Sequence, residues 1–592
     1  MKKGSLELNW INKDKSLYYE YDKDGNPSKP IWVGKNDIRV AEPRILKLVK
    51  EYGDCSKLKD PLDNVLIKGD NLLALRTLVE LFKDRSEKDK VKCVYLDPPF
   101  NTGNAFENYE DNLAHSEWLS MMKDRLISIR SLVKDEGIIM VHIDYQELSY
   151  LKVLMDELFG RNNYIGQINW QRVPEGRTLL GQGESDLTKS TEYILIYSKN
   201  RIKGKLNKDV KKFIDSTDKI VDQYSTILNV KDEGKLVDSF IDSSGEEVKV
   251  FIHKNFELNN LSKKVLRENR DKYIADFIKN YKKMVQSVGI QTESTSQQKI
   301  LSYCSDKDTL YSVEYTPSKG KRKKIKLKSY YYNGRKFLFS KDYSTLIKGK
   351  LFRESDMNDF WRSEELPVTG TAKEGNVNFR RSKKPEALIK RILKLSTAED
   401  EIVLDSFLGS GTTAAVAHKM NRRWIGIEIG NHADTHCVKR LNLVINKNNP
   451  DKTGISKDKD INWKGGGGFR YYRLGDTLIK DNDINWELNK NGELIAKAVF
   501  LNTGFKFEKK IQEGVFFGKR KTKHALCIID KDLKVLTKKE LESIINKIPK
   551  DYDLLEVFTN LGLALKQDEL KESIQIKKIP YAIQEKFSEV KE

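Results

Sequence analysis

The chain has 592 residues, 33% of them charged and 38% hydrophobic, and no run approaches the ~18 apolar residues of a membrane span. Lysine and arginine number 107 against 87 aspartate and glutamate, a net charge of +20 with a pI of about 9.2, which favours a polyanionic partner, although plain solvated lysine-rich helix faces give the same count. Five scattered cysteines (Cys55, Cys93, Cys304, Cys437, Cys527) without Cys-x-x-Cys spacing, and a start that carries no apolar stretch, exclude a disulfide framework, a zinc ribbon and a signal peptide, so the expectation is a cytoplasmic protein with no metal and no membrane contact.

Taken in order, residues 1–60 mix aromatic and charged side chains and read as an irregular N-terminal arm. Asn64-Val65-Leu66-Ile67-Lys68 reads as a buried strand leading through Gly69-Asp70 into a helix with Leu72, Leu75, Leu78 and Leu81 at helical spacing. Asp70 is either that helix's N-cap or a ligand-facing acid. The apolar run Val91–Leu96 then stops at Asp97-Pro98-Pro99-Phe100. The two prolines stiffen the backbone and give no N–H to a sheet. A carboxylate, the Pro98 carbonyl and the flat Phe100 ring together suit a flipped nucleobase presenting an exocyclic amino group. A simple proline turn at a strand end is the plain alternative. His115–Val133 has the period of a core-facing helix, Gly137–Asp144 is another apolar strand, and Glu147–Phe159 is a helix stopped by Gly160. His142 and Asp144 have no metal-ligand spacing around them and read as structural or pocket-lining. This alternation predicts an α/β fold with a parallel sheet covered on both faces.

The character changes over residues 201–360, where strand–helix alternation ceases. Lys319–Lys328 holds seven Lys/Arg in ten positions. Just beyond, Tyr330-Tyr331-Tyr332-Asn333-Gly334-Arg335 carries the Asn-Gly signal of a tight hairpin. A charge run is usually a solvated face; beside aromatic residues, and inserted between two halves of a core, it reads as a DNA target-recognition domain. Lys319, Lys321, Arg322, Lys323, Lys324, Tyr331 and Arg335 are the candidate DNA contacts.

Residues 361–475 reopen the core. A helix begins at Pro385, and the strand Ile402–Asp405 runs into Gly409-x-Gly411-x-x-Ala414, a turn that lets a ligand approach the backbone. The strand Arg423–Glu428 ends in an acid about 20 residues beyond Gly409, where a ribose hydroxyl binds in dinucleotide units. The pattern fits NAD nearly as well as S-adenosylmethionine, while the absence of a lysine after Gly411 excludes an ATP-type phosphate loop. Asp405 tips the balance, because a carboxylate there meets a cationic amino acid end and repels a pyrophosphate. Gly465–Gly468 read as a flexible break. Residues 476–592 read as a small C-terminal α/β accessory domain for subunit contact or dimerisation.

Asp97-Pro98-Pro99-Phe100-Asn101-Thr102-Gly103 resembles the Asp-Pro-Pro-Tyr-Asn-Thr-Gly signature of DNA adenine-N6 methyltransferases, particularly the modification subunits of type III restriction-modification systems. Phe100 stands where tyrosine is commoner, and a phenyl ring stacks on a base as a phenol does. Asp405-x-Phe407-x-Gly409-Ser410-Gly411-Thr412-Thr413 resembles the same family's S-adenosylmethionine motif, and Trp424–Glu428 its ribose-binding strand. The order, base pocket before cofactor loop with recognition between, is that of the β class. The resemblance implies a Rossmann-like S-adenosylmethionine-dependent methyltransferase sheet, formed by residues 61–200 and 361–475 around the inserted recognition domain. It implies catalytic roles for Asp97, Pro98, Pro99 and Phe100. It implies cofactor contacts from Asp70, Asn101, Asp405, Phe407, Gly409, Ser410, Gly411, Thr412 and Glu428. The implied partners are double-stranded DNA, a second copy of the chain in a homodimer, and a separate restriction (helicase-nuclease) subunit, since no nuclease motif is evident here.

The chemistry expected is methyl transfer to adenine N6. No Pro-Cys dipeptide occurs, which argues against cytosine-C5 chemistry, and Asp97 stands where the cytosine-N4 group typically has serine. An orphan adenine methyltransferase, a cytosine-N4 or RNA methyltransferase, a dehydrogenase and a non-catalytic specificity subunit are the rival readings.

Overall fold

Short runs of Val, Ile and Leu between helical segments can bury both faces only inside a sheet flanked by helices. The chain builds one such sheet of ten strands, labelled in chain order β1 (Leu46–Gly53), β2 (Val65–Lys68), β3 (Val91–Leu96), β4 (Val133–Ile143), β5 (Tyr164–Gln171), β6 (Thr191–Ser198), β7 (Phe360–Trp361), β8 (Ile402–Asp405), β9 (Arg423–Glu428) and β10 (Gly468–Leu474). The spatial order is β7-β5-β6-β4-β3-β8-β9-β2-β10-β1. The six strands from β4 to β10 in that order are mutually parallel, and antiparallel pairs form at the β4–β6, β6–β5 and β10–β1 contacts. This computed structural model describes all residues except 1–5, 21–28, 84, 102–113, 175–188, 243, 291–294, 318–323, 367–369, 380–382, 476–478, 483–484, 489–491, 530–534, 560 and 580–592.

The two stretches of core sequence are woven together. Strands β8 and β9, from the later stretch, lie between β3 and β2 of the earlier one. Alternation then divides each strand between two faces. Val65, Ile67, Val94, Leu96, Ile402, Leu404, Ile425 and Ile427 join one core with helices α1 (Asn71–Phe82), α2 (His115–Leu132) and α3 (Tyr145–Phe159). On the opposite face Cys93 meets Ser396 of helix α4 (Glu386–Ser396), whose hydroxyl lies 3.2 Å from the thiol. Helices α5 (Thr412–Lys419) and α6 (Val438–Ile445) complete the later stretch. These strand residues are 0–2% exposed, and each such burial contributes about 2 kcal/mol.

Several sequence expectations need correction. The first 60 residues are not only an arm: β1 is the outer strand of the main sheet, paired along its length with β10. Leu81 is 41% exposed, unlike Leu72, Leu75 and Leu78, because α1 turns that position to solvent. Gly465–Gly468 is a packed turn, not a flexible break. A Cβ at Gly467, whose φ is +76°, would lie 2.8 Å from His418, and Gly468 already belongs to β10.

The chain divides into two compact units, residues 208–357 and the remainder. In the first, an all-antiparallel sheet of eight strands includes the hairpin Leu327–Tyr332/Arg335–Phe339. Tyr332 pairs with Arg335 across Asn333 and Gly334, both at positive φ as a two-residue type I′ loop requires. Within the second unit, the C-terminal residues form a five-stranded mixed sheet. The helix Gly492–Thr503 covers one face through Val499 and Phe500, and Lys538–Ile545 covers the other through Leu541 and Ile544. Among the described residues no helix is long and apolar enough to cross a membrane.

Candidate active site

Four adjacent parallel strands, β3, β8, β9 and β2, each end at or beside an acid: Asp97, Asp405, Glu428 and Asp70. In an open α/β sheet the carboxyl ends of the strands form the ligand crevice. Asp97 and Asp405, far apart in sequence, thus stand at neighbouring strand ends.

At β3 the prolines direct the chain away from the sheet, and Trp118 of α2 donates its indole N–H to the Pro99 carbonyl at 2.7 Å. Asn101 adopts a left-handed φ of +59° and donates to the buried Glu147 at 2.6 Å. The Phe100 ring packs on the core and lies 5.7 Å from the His142 ring. Asp97 Oδ1 is 2.9 Å from Lys384 Nζ, which also lies 3.6 Å from Glu192 Oε2. Glu192 is gripped by Arg172 and lies 2.8 Å from His142 Nε2, while His142 Nδ1 bonds the Tyr95 hydroxyl at 2.8 Å. Burial opposes the charge on Glu192, but Lys384, Arg172 and His142 outweigh it and hold the carboxyl well below its usual range. His142 is pushed down by burial and by Lys384, so it stays neutral.

At β8 the Asp405 carboxylate accepts from the Phe407 N–H at 2.9 Å. Burial pushes Asp405 up to about 7, against hydrogen bonds from Thr413 and Phe407, and the charges of Asp97 and Glu428 add to the rise. Gly411 starts α5 at φ +79°, with the Cα of Cys437 3.4 Å from where its Cβ would be, so a side chain there would be strained as well as crowded. Ser410 and Thr412 hydroxyls lie 3.0 Å apart, and buried Arg440 donates to Thr412 Oγ1 at 2.7 Å. Their hydroxyls therefore bond within the loop and to Arg440. Phe407 leans on the main core.

Glu428 binds the loop as well. It accepts from the Gly409 N–H at 2.7 Å, from Ile429 and Gly430, and pairs with His432 at 2.9 Å. Burial opposes this charge, but His432 and the Gly430 and Gly409 N–H groups prevail and keep its carboxyl below the usual range. Asp70 caps α1 by accepting from Leu72 and Leu73, and the next residue, Asn71, donates to the Ser406 carbonyl at 2.7 Å, tying the β2 and β8 ends together.

The candidate DNA contacts divide differently. Lys319, Lys321, Arg322 and Lys323 lie outside the described residues. Lys324 is exposed, and the exposed Arg335 donates to Ser287. Tyr331 is only 5% exposed, inside the core of the 208–357 unit, and is withdrawn as a DNA contact: the alternation of its strand turns the ring inward. Sequence reasoning missed Lys384, Glu192 and Arg172. An acid within Thr191-Glu192-Tyr193-Ile194-Leu195-Ile196 is the one local signal, since a charge in a buried strand needs a partner.

The family model for N6/N4 methyltransferases, described as a DNA methylase, matches residues 91–244 and 223–437. The probable type III restriction-modification enzyme HindVI Mod subunit of Haemophilus influenzae is 36% identical over 428 residues, 70% of this chain and 54% of that one. The type II methyltransferase M.EcaI of Enterobacter cloacae is 27% identical over 411 residues, 68% of this chain and 74% of that one. The crystal structure of the M1.HpyAVI–SAM complex aligns with 64% of this chain and 99% of that one at 14% identity and a TM-score of 0.26. The chain spans about half the length of the Haemophilus relative.

Proposed function

The chain belongs to the DNA methylase family, and from that premise we propose that it methylates adenine N6 in a specific double-stranded DNA sequence, as the modification subunit of a type III restriction-modification system. The observation that carries this reading is the row of acids at the ends of β3, β8, β9 and β2, with a base-sized aromatic face at one end and a glycine turn beside it.

The donor set suits S-adenosylmethionine better than a dinucleotide. Asp405 would hold the cationic amino acid end, Glu428 a ribose hydroxyl through Oε2, the oxygen that takes only the Gly409 N–H, and Asp70 and Asn101 the neighbouring parts. When bound, the sulfonium supplies an electrophilic methyl group. The chain's own residues do the rest. Adenine's amino nitrogen is a weak nucleophile because its lone pair is delocalised into the ring. Asp97 and the Pro98 carbonyl accept its two N–H bonds and localise that pair, and Phe100 stacks on the base. Asp97 is also the natural acceptor for the proton that the methylated nitrogen sheds. Nucleoside analysis of DNA methylated by the purified protein tests the assignment. N6-methyladenine is expected, and N4-methylcytosine or an unmodified digest would overturn it.

Asp405 makes the binding pH-dependent. Its folded-state value of about 7 lies above the ordinary carboxylate range, so its burial is tolerated best while protonated and costs stability as pH rises through about 7. A cationic ligand needs the ionised form. S-adenosylmethionine affinity measured by calorimetry is therefore expected to rise severalfold from about pH 6 to about pH 8. Asp405→Asn should flatten that rise and weaken binding without lowering the melting temperature of the ligand-free protein at the upper pH. A wild-type affinity independent of pH would exclude this role.

Residues 208–357 would read the DNA sequence. Neutralising Lys321, Arg322, Lys323 and Lys324 together is expected to weaken DNA binding and reduce the slope of log affinity against log salt by about 3–4. An unchanged slope would remove this segment from the interface. The homodimer, with the C-terminal sheet as a contact surface, and a separate restriction subunit complete the proposal. Light scattering of the purified chain distinguishes monomer from dimer.

A further inference from the structure

Lys384 reaches Asp97 from the residue before Pro385, and its side chain is only 9% exposed. Its Nζ lies 2.9 Å from Asp97 Oδ1 and 4.7 Å from the centroid of the Phe100 ring. These are the two features a target base needs. An amino nitrogen hydrogen-bonded to Asp97 would stand about 2.7–3.2 Å from the same carboxylate, and a stacked base would cover the same ring. The ammonium and the base amino group therefore compete for one seat.

We propose that Lys384 is a positioning residue that occupies the place of the target amino group in the DNA-free protein and transfers to Glu192 when the base enters. The inference rests on the methyltransferase reading and adds a step to it. Glu192 Oε2 is already 3.6 Å from the ammonium, so the transfer is a small side-chain adjustment. Arg172 and neutral His142 hold Glu192 in place as a fixed anionic acceptor. With no base bound, the lysine keeps the Asp97 carboxylate paired and oriented, avoiding a half-buried unpaired charge. It also imposes a selection. An exocyclic amino group can replace the ammonium as a donor to Asp97, whereas the carbonyl oxygen at the equivalent edge of guanine or thymine cannot.

Removing the occupant should ease base entry, because apparent affinity is reduced by the fraction of molecules whose site is blocked. Lys384→Met is expected to lower the KM for DNA about 3–10-fold while leaving the KM for S-adenosylmethionine unchanged. Lys384→Arg, whose fork can grip Asp97 and Glu192 together, should raise the KM for DNA. Mere structural damage would not lower it. A KM for DNA in Lys384→Met equal to or above wild type overturns the proposal. If that variant fails to fold, Glu192→Gln decides: loss of the receiving charge should raise the KM for DNA, and an unchanged value overturns the proposal. Failure of the underlying reading is distinct, since the wild-type protein would then produce no methylated base at all.

Discussion

Asp97→Ala is expected to reduce methyl transfer by about 10³-fold, roughly 4 kcal/mol of transition-state stabilisation, while DNA affinity stays within about twofold of wild type. The asymmetry follows from where the residue sits. Asp97 lies at the end of β3 inside the crevice and has no part in the 208–357 unit, to which DNA reading is assigned. Its carboxylate gains most from the target amino group as positive charge grows on nitrogen, so the loss should fall on kcat rather than on binding. Asp97→Asn is a sharper probe. It keeps the shape and one acceptor oxygen but surrenders the negative charge, and a loss of about 10² is expected. Transfer of labelled methyl groups to DNA under single-turnover conditions measures both. Activity in Asp97→Ala within tenfold of wild type would remove Asp97 from the chemistry.

That site was half legible in the sequence. The acids at 97, 405 and 428 are visible because each ends an apolar run, and a strand buried on both faces is recognisable by composition alone. Their adjacency is not, because it depends on β8 and β9 entering between β3 and β2, a pairing that no local pattern encodes. β1 was obscured for another reason. As an outer strand it exposes most of Leu-Lys-Leu-Val-Lys-Glu-Tyr-Gly, and the charges that suit such an edge look like those of a loop. Tyr331 and Leu81 show the limit of reading side chains by type, since the face each occupies is set by its element's packing. Lys384 and Glu192 were invisible as a pair because they lie 192 residues apart in the chain. A buried ion pair leaves no trace until both partners are placed.

The same blindness applies beneath the cofactor loop, where the largest stability effect is expected. Lys419 at the end of α5 has a fully buried ammonium that meets both oxygens of Glu386, at 3.0 and 2.8 Å, and Asp451 at 2.7 Å. Arg440 of α6 approaches Glu386 at 2.7 Å and reaches Thr412 with its other amino group. Four side chains with no solvent contact thus tie α4, α5 and α6 to the turn that would hold S-adenosylmethionine. Lys419→Met fills similar volume but leaves Asp451 without its cation. Breaking a buried pair from one side costs about 3–5 kcal/mol, which in a unit of this size should lower the melting transition by about 3–5 °C. Replacing both members, Lys419→Met with Asp451→Asn, removes the orphaned charge and should recover much of that loss, so the two substitutions will be strongly non-additive. Calorimetric melting of the single and double variants measures the coupling. A shift below about 2 °C in Lys419→Met would mean that water or a rearranged Arg440 neutralises the acids. Because Arg440 also holds Thr412, the single variant should weaken S-adenosylmethionine binding even at temperatures where it remains folded.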